Sequence, residues 1–210
     1  MKRIILAMTV AAVTNGTLTL GEQLENQAQE RDKQVKIILE RVKAGEPSAL
    51  LELGDIADTN VIPILQKYVL PSWAIEADPI ERQFAGQALG KLGAEKHYEA
   101  LIKRMLAEDT AEADFELLRL FKVVSYIPTK AAVRTVAQFL DDPTVRKQHS
   151  DDVLAISVRG LAVDALTRMA KSPSQVIVDP PAPHDRPYYR PEDVEKWQKW
   201  WETNKRKYTE

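Results

Sequence analysis

The sequence predicts an all-α protein built from repeated pairs of antiparallel helices. A pattern of helix, tight turn and helix recurs along the chain at offsets of 36 and then 35 residues. Apolar residues follow helical spacing, and strand-like alternation is confined to the short segment QVIV ending at Val178. Only 8 glycines occur in 210 residues, few for a fold of tight β-turns. We therefore expect an α-solenoid, in which each pair buries its apolar face against its neighbours.

The composition indicates a folded chain with little net charge. Hydrophobic residues make up 44% and charged residues 29% of the chain, which is typical of a domain with a packed core. The net charge of -2 argues against a nucleic-acid-binding protein, because such proteins usually have a basic surface. The absence of cysteine excludes disulfides, thiolate nucleophiles and Cys-ligated zinc.

The first 21 residues have the pattern of a signal peptide. Lys2 and Arg3 precede an apolar run over residues 4–13, which is too short to span a bilayer. Cleavage after Gly16 and cleavage after Gly21 both fit, and a buried N-terminal helix is the alternative to a signal peptide. We expect a periplasmic or secreted protein without a transmembrane span in its mature form.

Residues 22–171 are predicted to form the helical repeat domain. Its opening helix covers residues 22–43, polar in its first half and apolar in its second. The first helix of each following pair is expected over 48–57, 79–92, 111–127 and 152–170. The second helix is expected over 61–69, 96–107 and 130–140. Asp78 followed by Pro79 places a capping side chain before a proline in the first turn, a typical helix start.

One stretch resembles the HEAT repeat of short bacterial repeat proteins. It reads DPIERQFAGQALGKLGAEKHYEALIKRMLAED, and the matching residues are Asp78, Pro79, Arg82, Ala85, Ala88, Leu89, Gly90, Leu92, Gly93 and Leu101. A second, shorter match is SVRGLAVDAL, with Val158, Arg159, Ala162, Ala165 and Leu166. The resemblance covers about residues 48–170. It implies that the small residues permit close helix packing, that the glycine serves the turn, and that the arginine neutralises groups at a helix end.

The C-terminal part is predicted to differ from the repeats. Residues 172–191 are rich in proline and are expected to form an extended arm. Residues 192–210 are expected to form a helix that caps the open end of the repeat array. Its apolar stripe consists of Val194, Trp197, Trp200 and Trp201.

No arrangement typical of catalysis is visible. His97, His149 and His184 lie in different elements without the spacing of a metal site, and acidic pairs at helix ends are explained by capping. We therefore predict a chain that is not an enzyme and has no catalytic residue, cofactor or bound metal.

A binding role is predicted instead. The second helices of such repeats commonly line the concave face, and equivalent outward positions give Lys67, Glu99, Lys103, Arg134 and Gln138, although an ordinary solvated face is the alternative. Trp73, Tyr188, Tyr189 and Arg190 are further candidates, because aromatic and arginine side chains anchor interfaces. The expected function is a protein–protein interaction module or scaffold in the bacterial cell envelope, with an unknown protein or peptide partner and no nucleic acid. The alternative is an accessory or regulatory subunit, or a HEAT-like enzyme acting on a macromolecule.

Overall fold

The computed structural model describes residues 19–70, 77–146, 156–171 and 191–209, and it confirms the all-α class. Short 3-10 helices at Pro47–Ala49 and Thr59–Val61 precede two of the α-helices. The elements in these ranges are α1 (Leu20–Lys43), α2 (Leu50–Asp55), α3 (Ile62–Val69), α4 (Pro79–Lys91), α5 (Glu95–Ala107), α6 (Ala111–Val124), α7 (Lys130–Ala137), β1 (Val145–Arg146), β2 (Ile156–Ser157), α8 (Val158–Lys171), α9 (Pro191–Asn204) and α10 (Arg206–Thr209).

The chain divides into two compact units, Met1–Gln34 and Val35–Glu210. Every described residue of the first unit is exposed. A capping box starts α1: the Thr19 backbone N–H donates to the Glu22 carboxylate at 2.7 Å, and the Glu22 N–H donates to Thr19 Oγ1 at 3.3 Å. Because of this box, α1 begins at Leu20, two residues before the predicted start. Most of the predicted signal peptide lies outside the described residues.

The second unit has one continuous hydrophobic core. Helices α2 and α3 pack against α4, α5 packs against α6, and both α6 and α7 contact α8. Two of these contacts depend on glycine. A Cβ added to Gly54 would lie 2.9 Å from the Cα of Ala88, and one added to Gly86 would lie 2.1 Å from the carbonyl oxygen of Tyr126. The backbones therefore approach more closely at these points than any side chain would allow.

The start of α4 follows the sequence prediction. The Asp78 carboxylate accepts hydrogen bonds from the N–H groups of Ile80 and Glu81 at 2.8 and 3.0 Å. The Arg82 guanidinium donates to the carbonyl oxygen of Ala77 at 3.1 Å and lies over the Tyr126 ring, 4.9 Å from its centroid. The arginine thus binds a carbonyl just before α4 and also holds α4 against Tyr126, which follows α6.

Two turns between paired helices share an unusual backbone conformation. Gly93 has a φ of 63°, which glycine adopts easily. Ala57 occupies the equivalent position 36 residues earlier and has a φ of 56°, although a side chain disfavours this region. Pro128 stands 35 residues after Gly93 and cannot adopt a positive φ. The third turn therefore takes another path, in which the Thr129 N–H donates to Ile127 O at 2.9 Å.

Several helices in the second half are shorter than predicted. Helix α6 ends at Val124 instead of 127, and α7 ends at Ala137 instead of 140, because hydrogen-bonded turns follow both. Helix α8 begins at Val158 instead of 152, because Ile156 and Ser157 pair antiparallel with β1. The predicted C-terminal helix is interrupted at Lys205, which separates α9 from α10.

The short β pairing positions a buried arginine. The Arg146 Nε donates to Asp114 Oδ1 at 2.8 Å, and both side chains are more than 90% buried. The guanidinium also donates to the carbonyl oxygen of Met105 at 2.8 Å and to that of Glu108, at the C-terminus of α5. Arg146 therefore neutralises a buried carboxylate of α6 and satisfies carbonyls that the end of α5 leaves open.

An aromatic cluster forms at the C-terminus. Trp197 and Trp200 are buried with their rings edge to face, 5.2 Å between centroids, and Tyr208 lies 5.6 Å from Trp200. Gln198 donates to the carbonyl oxygen of Leu140 at 3.0 Å. Helix α9 packs against α8, and α10 packs against α7. The predicted apolar stripe thus faces the core.

Candidate interaction surface

Helices α3, α5, α7 and α10 are linked in turn by polar contacts, and together they are called the helix row here. The Tyr98 hydroxyl of α5 donates to Gln66 of α3 at 3.4 Å. The Gln138 amide, which follows directly after α7, donates to the Thr135 carbonyl oxygen at 2.9 Å and helps to lower the pKa of Glu99 on α5. Arg134 of α7 donates to the carbonyl oxygen of Tyr208 in α10 at 3.4 Å.

The centre of the helix row is a charged cluster around Glu99. Lys103 Nζ lies 2.6 Å from Glu99 Oε1, and Gln138 and Arg134 act on the same carboxylate from α7. The hydrogen bond from Lys103, followed by that from Gln138 and by the charges of Lys103 and Arg134, lowers the pKa of Glu99, while burial opposes this shift. Glu99 therefore stays ionised at neutral pH, bonded to Lys103 and within the electrostatic reach of Arg134.

The helix row carries a large excess of positive charge. Its four helices contain eight lysines and arginines against two glutamates, and all eight cations are exposed. Of the glutamates, Glu95 is buried and accepts a hydrogen bond from the Thr129 hydroxyl. The eight cations are Lys67, Lys96, Lys103, Arg104, Lys130, Arg134, Arg206 and Lys207.

The helices from α2 to α9 that lie outside the helix row show no such excess. Helices α2, α4, α6, α8 and α9 together contain eleven aspartates and glutamates and nine lysines and arginines. The whole chain has a net charge of only -2. Positive charge is therefore concentrated on the helix row and is not a property of the whole chain.

Small side chains separate the cations on α5. Ala100 and Ala107 are exposed, and they lie on the same side of the helix as Lys96 and Lys103. On α7, Lys130 and Arg134 are exposed one turn apart, and Gln138 continues the same line. The surface thus combines long cationic side chains with positions where another backbone could approach closely.

The structure brings four of the predicted binding residues together: Glu99, Lys103, Arg134 and Gln138. Lys67 is exposed on α3, at the outer end of the helix row. Trp73, Tyr188, Tyr189 and Arg190 lie outside the described residues. The sequence reasoning missed Lys96, Arg104 and Lys130, although Lys96 stands seven residues before Lys103 and Lys130 four before Arg134, spacings that place them on the same helix faces. Arg206 and Lys207 could not be assigned to this surface without the contact of α10 with α7.

A small cavity lies between α6 and α8. Its volume is about 180 Å³, and its apolar lining includes Leu118, Phe121, Leu161 and Ala165, with Lys122, Asp164 and Arg168 at its polar side. Sites for drug-sized ligands are usually larger, about 300–1,000 Å³.

Over the ranges that the structure describes, no group of three or more His, Asp or Glu side chains is placed to hold a metal ion. Among the helices described, none is long and apolar enough to cross a membrane.

Comparison of the chain with protein-family models, with curated proteins and with solved structures finds no match.

Proposed function

We propose that this chain is a HEAT-type protein-interaction module that binds a protein or peptide partner through the helix row. In this proposal the helix pairs stack as an α-solenoid, with α3, α5 and α7 as the second helices of successive pairs. The observation that carries the proposal is the arrangement of the row, in which linked helices bury their apolar sides and expose eight cations. A buried core with one strongly charged exposed surface fits recognition of a partner.

The proposed location is the bacterial cell envelope, after export directed by residues 1–21. The capping box bears on where the signal would be cut. Cleavage after Gly21 would remove Thr19 and the first two residues of α1, whereas cleavage after Gly16 would leave the Thr19–Glu22 hydrogen bonds intact. We therefore favour Thr17 as the first residue of the exported protein, and intact-mass measurement of the envelope fraction tests this directly.

Site-specific photo-crosslinking tests the binding role. A photoreactive amino acid replaces Ala100, which is exposed at the centre of the helix row, and in a separate variant replaces Gln83, which is exposed on α4. Irradiation of cells should give one discrete crosslinked protein from position 100 and none from position 83. The product should disappear when Lys103, Arg134 and Gln138 are changed together to alanine.

The matched control changes Lys196 and Lys199 on α9 to alanine, because both are exposed cations outside the helix row. This control should keep the crosslink. A product that forms equally from position 83, or one that survives the triple substitution, would overturn the proposal that the helix row binds the partner.

A further inference from the structure

We propose that the partner docks on the helix row through an acidic protein segment, whose carboxylates meet the exposed lysines and arginines of α5 and α7. This inference rests on the proposed function and specifies the chemistry of the partner. It starts from the charge asymmetry of the second unit: the helix row has an excess of six positive charges, while the remaining helices from α2 to α9 are slightly acidic. A surface of one sign selects a ligand of the opposite sign.

The spacing on α5 fits a peptide. Lys96 and Lys103 are two helical turns apart, with Ala100 between them and Ala107 one turn further on. The alanines leave room for a partner backbone to lie close to the helix. Glutamate or aspartate side chains that project from that backbone could then reach the lysines on either side. The alternation of cations and alanines on α5 therefore fits a partner segment with acidic side chains better than one with only apolar side chains.

The Glu99 cluster pre-arranges part of this surface. Lys103 donates to Glu99 at 2.6 Å, and Arg134 donates to the Tyr208 carbonyl oxygen at 3.4 Å, so both cations are held before any partner arrives. Holding long side chains in place lowers the entropy that binding must remove. The cations most central to the row are therefore also the ones that are already ordered.

The same glutamate disfavours a nucleic acid as the occupant. A nucleic-acid backbone carries closely spaced negative charges, and a phosphate crossing from α5 to α7 would meet the ionised Glu99. An acidic peptide has separated carboxylates and can place an uncharged residue opposite Glu99.

The test uses a fluorescein-labelled peptide of repeated Glu-Ala-Ala-Glu units, with a Lys-Ala-Ala-Lys peptide and a single-stranded DNA of similar length as comparisons. Fluorescence anisotropy measures binding to the full chain at about 50 mM and about 300 mM NaCl. The acidic peptide should bind, and its Kd should rise by about tenfold or more at the higher salt concentration. The basic peptide should not bind.

Charge reversal locates the site. K103E with R134E should raise the Kd of the acidic peptide by about tenfold or more, while K196E with K199E, which changes the net charge equally on α9, should leave it within about twofold. Circular dichroism confirms that both double variants remain folded. Equal weakening by the two pairs would show binding by net charge alone and would overturn the inference.

Two further outcomes also overturn it. The acidic peptide could fail to bind the folded chain at low salt, or the DNA could bind more tightly than the peptide with the same dependence on Lys103 and Arg134. If the crosslink at position 100 persists in either case, the protein-binding role stands and only the acidic chemistry is wrong. If the crosslink is absent while the acidic peptide binds, the charged surface is real but the proposed protein partner is not.

Discussion

The packed side of α4 and the helix row should respond differently to substitution: the first should lose stability, and the second should not. At Gly86 the α4 backbone lies so close to Tyr126 that one added carbon would overlap its carbonyl oxygen. On the helix row, by contrast, eight lysine and arginine side chains are exposed to solvent. The comparison shows that the smallest residues determine how the helices pack, while the largest charged residues are available for recognition. Substitutions should therefore separate stability from binding.

The largest expected effect on stability is at the buried ion pair. Changing Arg146 to leucine would leave the Asp114 carboxylate and the carbonyl oxygens of Met105 and Glu108 without the guanidinium in a dry environment. We expect the free energy of unfolding to fall by about 3–5 kcal/mol, measured by urea denaturation. Changing Asp114 to leucine as well should restore part of the loss. A single variant as stable as the wild type would contradict the assigned role of Arg146.

The next effect is at the close helix contact. Gly86→Ala would place a Cβ 2.1 Å from Tyr126 O, so α4 and the end of α6 would have to separate. A loss of about 3 kcal/mol is expected, even though alanine favours the helix by about 1 kcal/mol. Gly90→Ala is the control, because its Cβ would first meet a side-chain methyl group of Thr129 at 2.8 Å and not a backbone carbonyl. A smaller loss for Gly86→Ala than for Gly90→Ala would refute the contact as described.

Substitutions at the two equivalent turns should change the free energy of unfolding in opposite directions. Ala57→Gly should raise the free energy of unfolding by about 1 kcal/mol, because it relieves a side chain from the left-handed region. Gly93→Ala should lower it by a similar amount for the same reason. Thermal melts of the two variants and of the wild type measure both changes in stability. Changes of the same sign would mean that local packing, and not backbone conformation, dominates at these turns.

The smallest effect concerns Glu99. Because the pKa of this carboxyl is lower in the folded chain than its ordinary value, its ion pair stabilises the fold at neutral pH and loses that contribution as the pH falls through the lowered pKa. The free-energy difference between the wild type and E99Q should be below about 1 kcal/mol at pH about 6 and should shrink toward zero at pH about 3. Denaturation at both pH values measures it. A difference that does not change with pH would rule out the ionised Glu99 as its source.

Features that follow from local chemistry were predictable from the sequence. The cap at Asp78 and the turn at Gly93 depend on the preferences of those residues; the cap was expected from the following Pro79, and the turn was implied by the resemblance to HEAT repeats. Ala57 was not recognised as a left-handed residue, because alanine disfavours that region and only the surrounding packing holds it there. The local preference therefore pointed away from the observed conformation.

Features that depend on contacts between distant residues were not predictable. The β1–β2 pairing involves two residues on each side, too few for a strand pattern, and it accompanies the burial of Arg146 against Asp114, which stands 32 residues earlier. Of the candidate surface, the outward positions of α5 and α7 were recognisable from helical spacing. The place of Arg206 beside them depends on the fold, because α10 reaches α7 only through tertiary packing.

The β1–β2 pairing also has a consequence for the cooperativity of unfolding. Val145 and Ser157 are partners in the pairing, and the Val158 N–H donates to Thr144 O at 3.1 Å, so the start of α8 is fastened to the residues of β1. Arg146 belongs to the same pairing and binds Asp114 of α6. An opening of the pairing would therefore also loosen the ion pair, so the start of α8 and the buried arginine should unfold together.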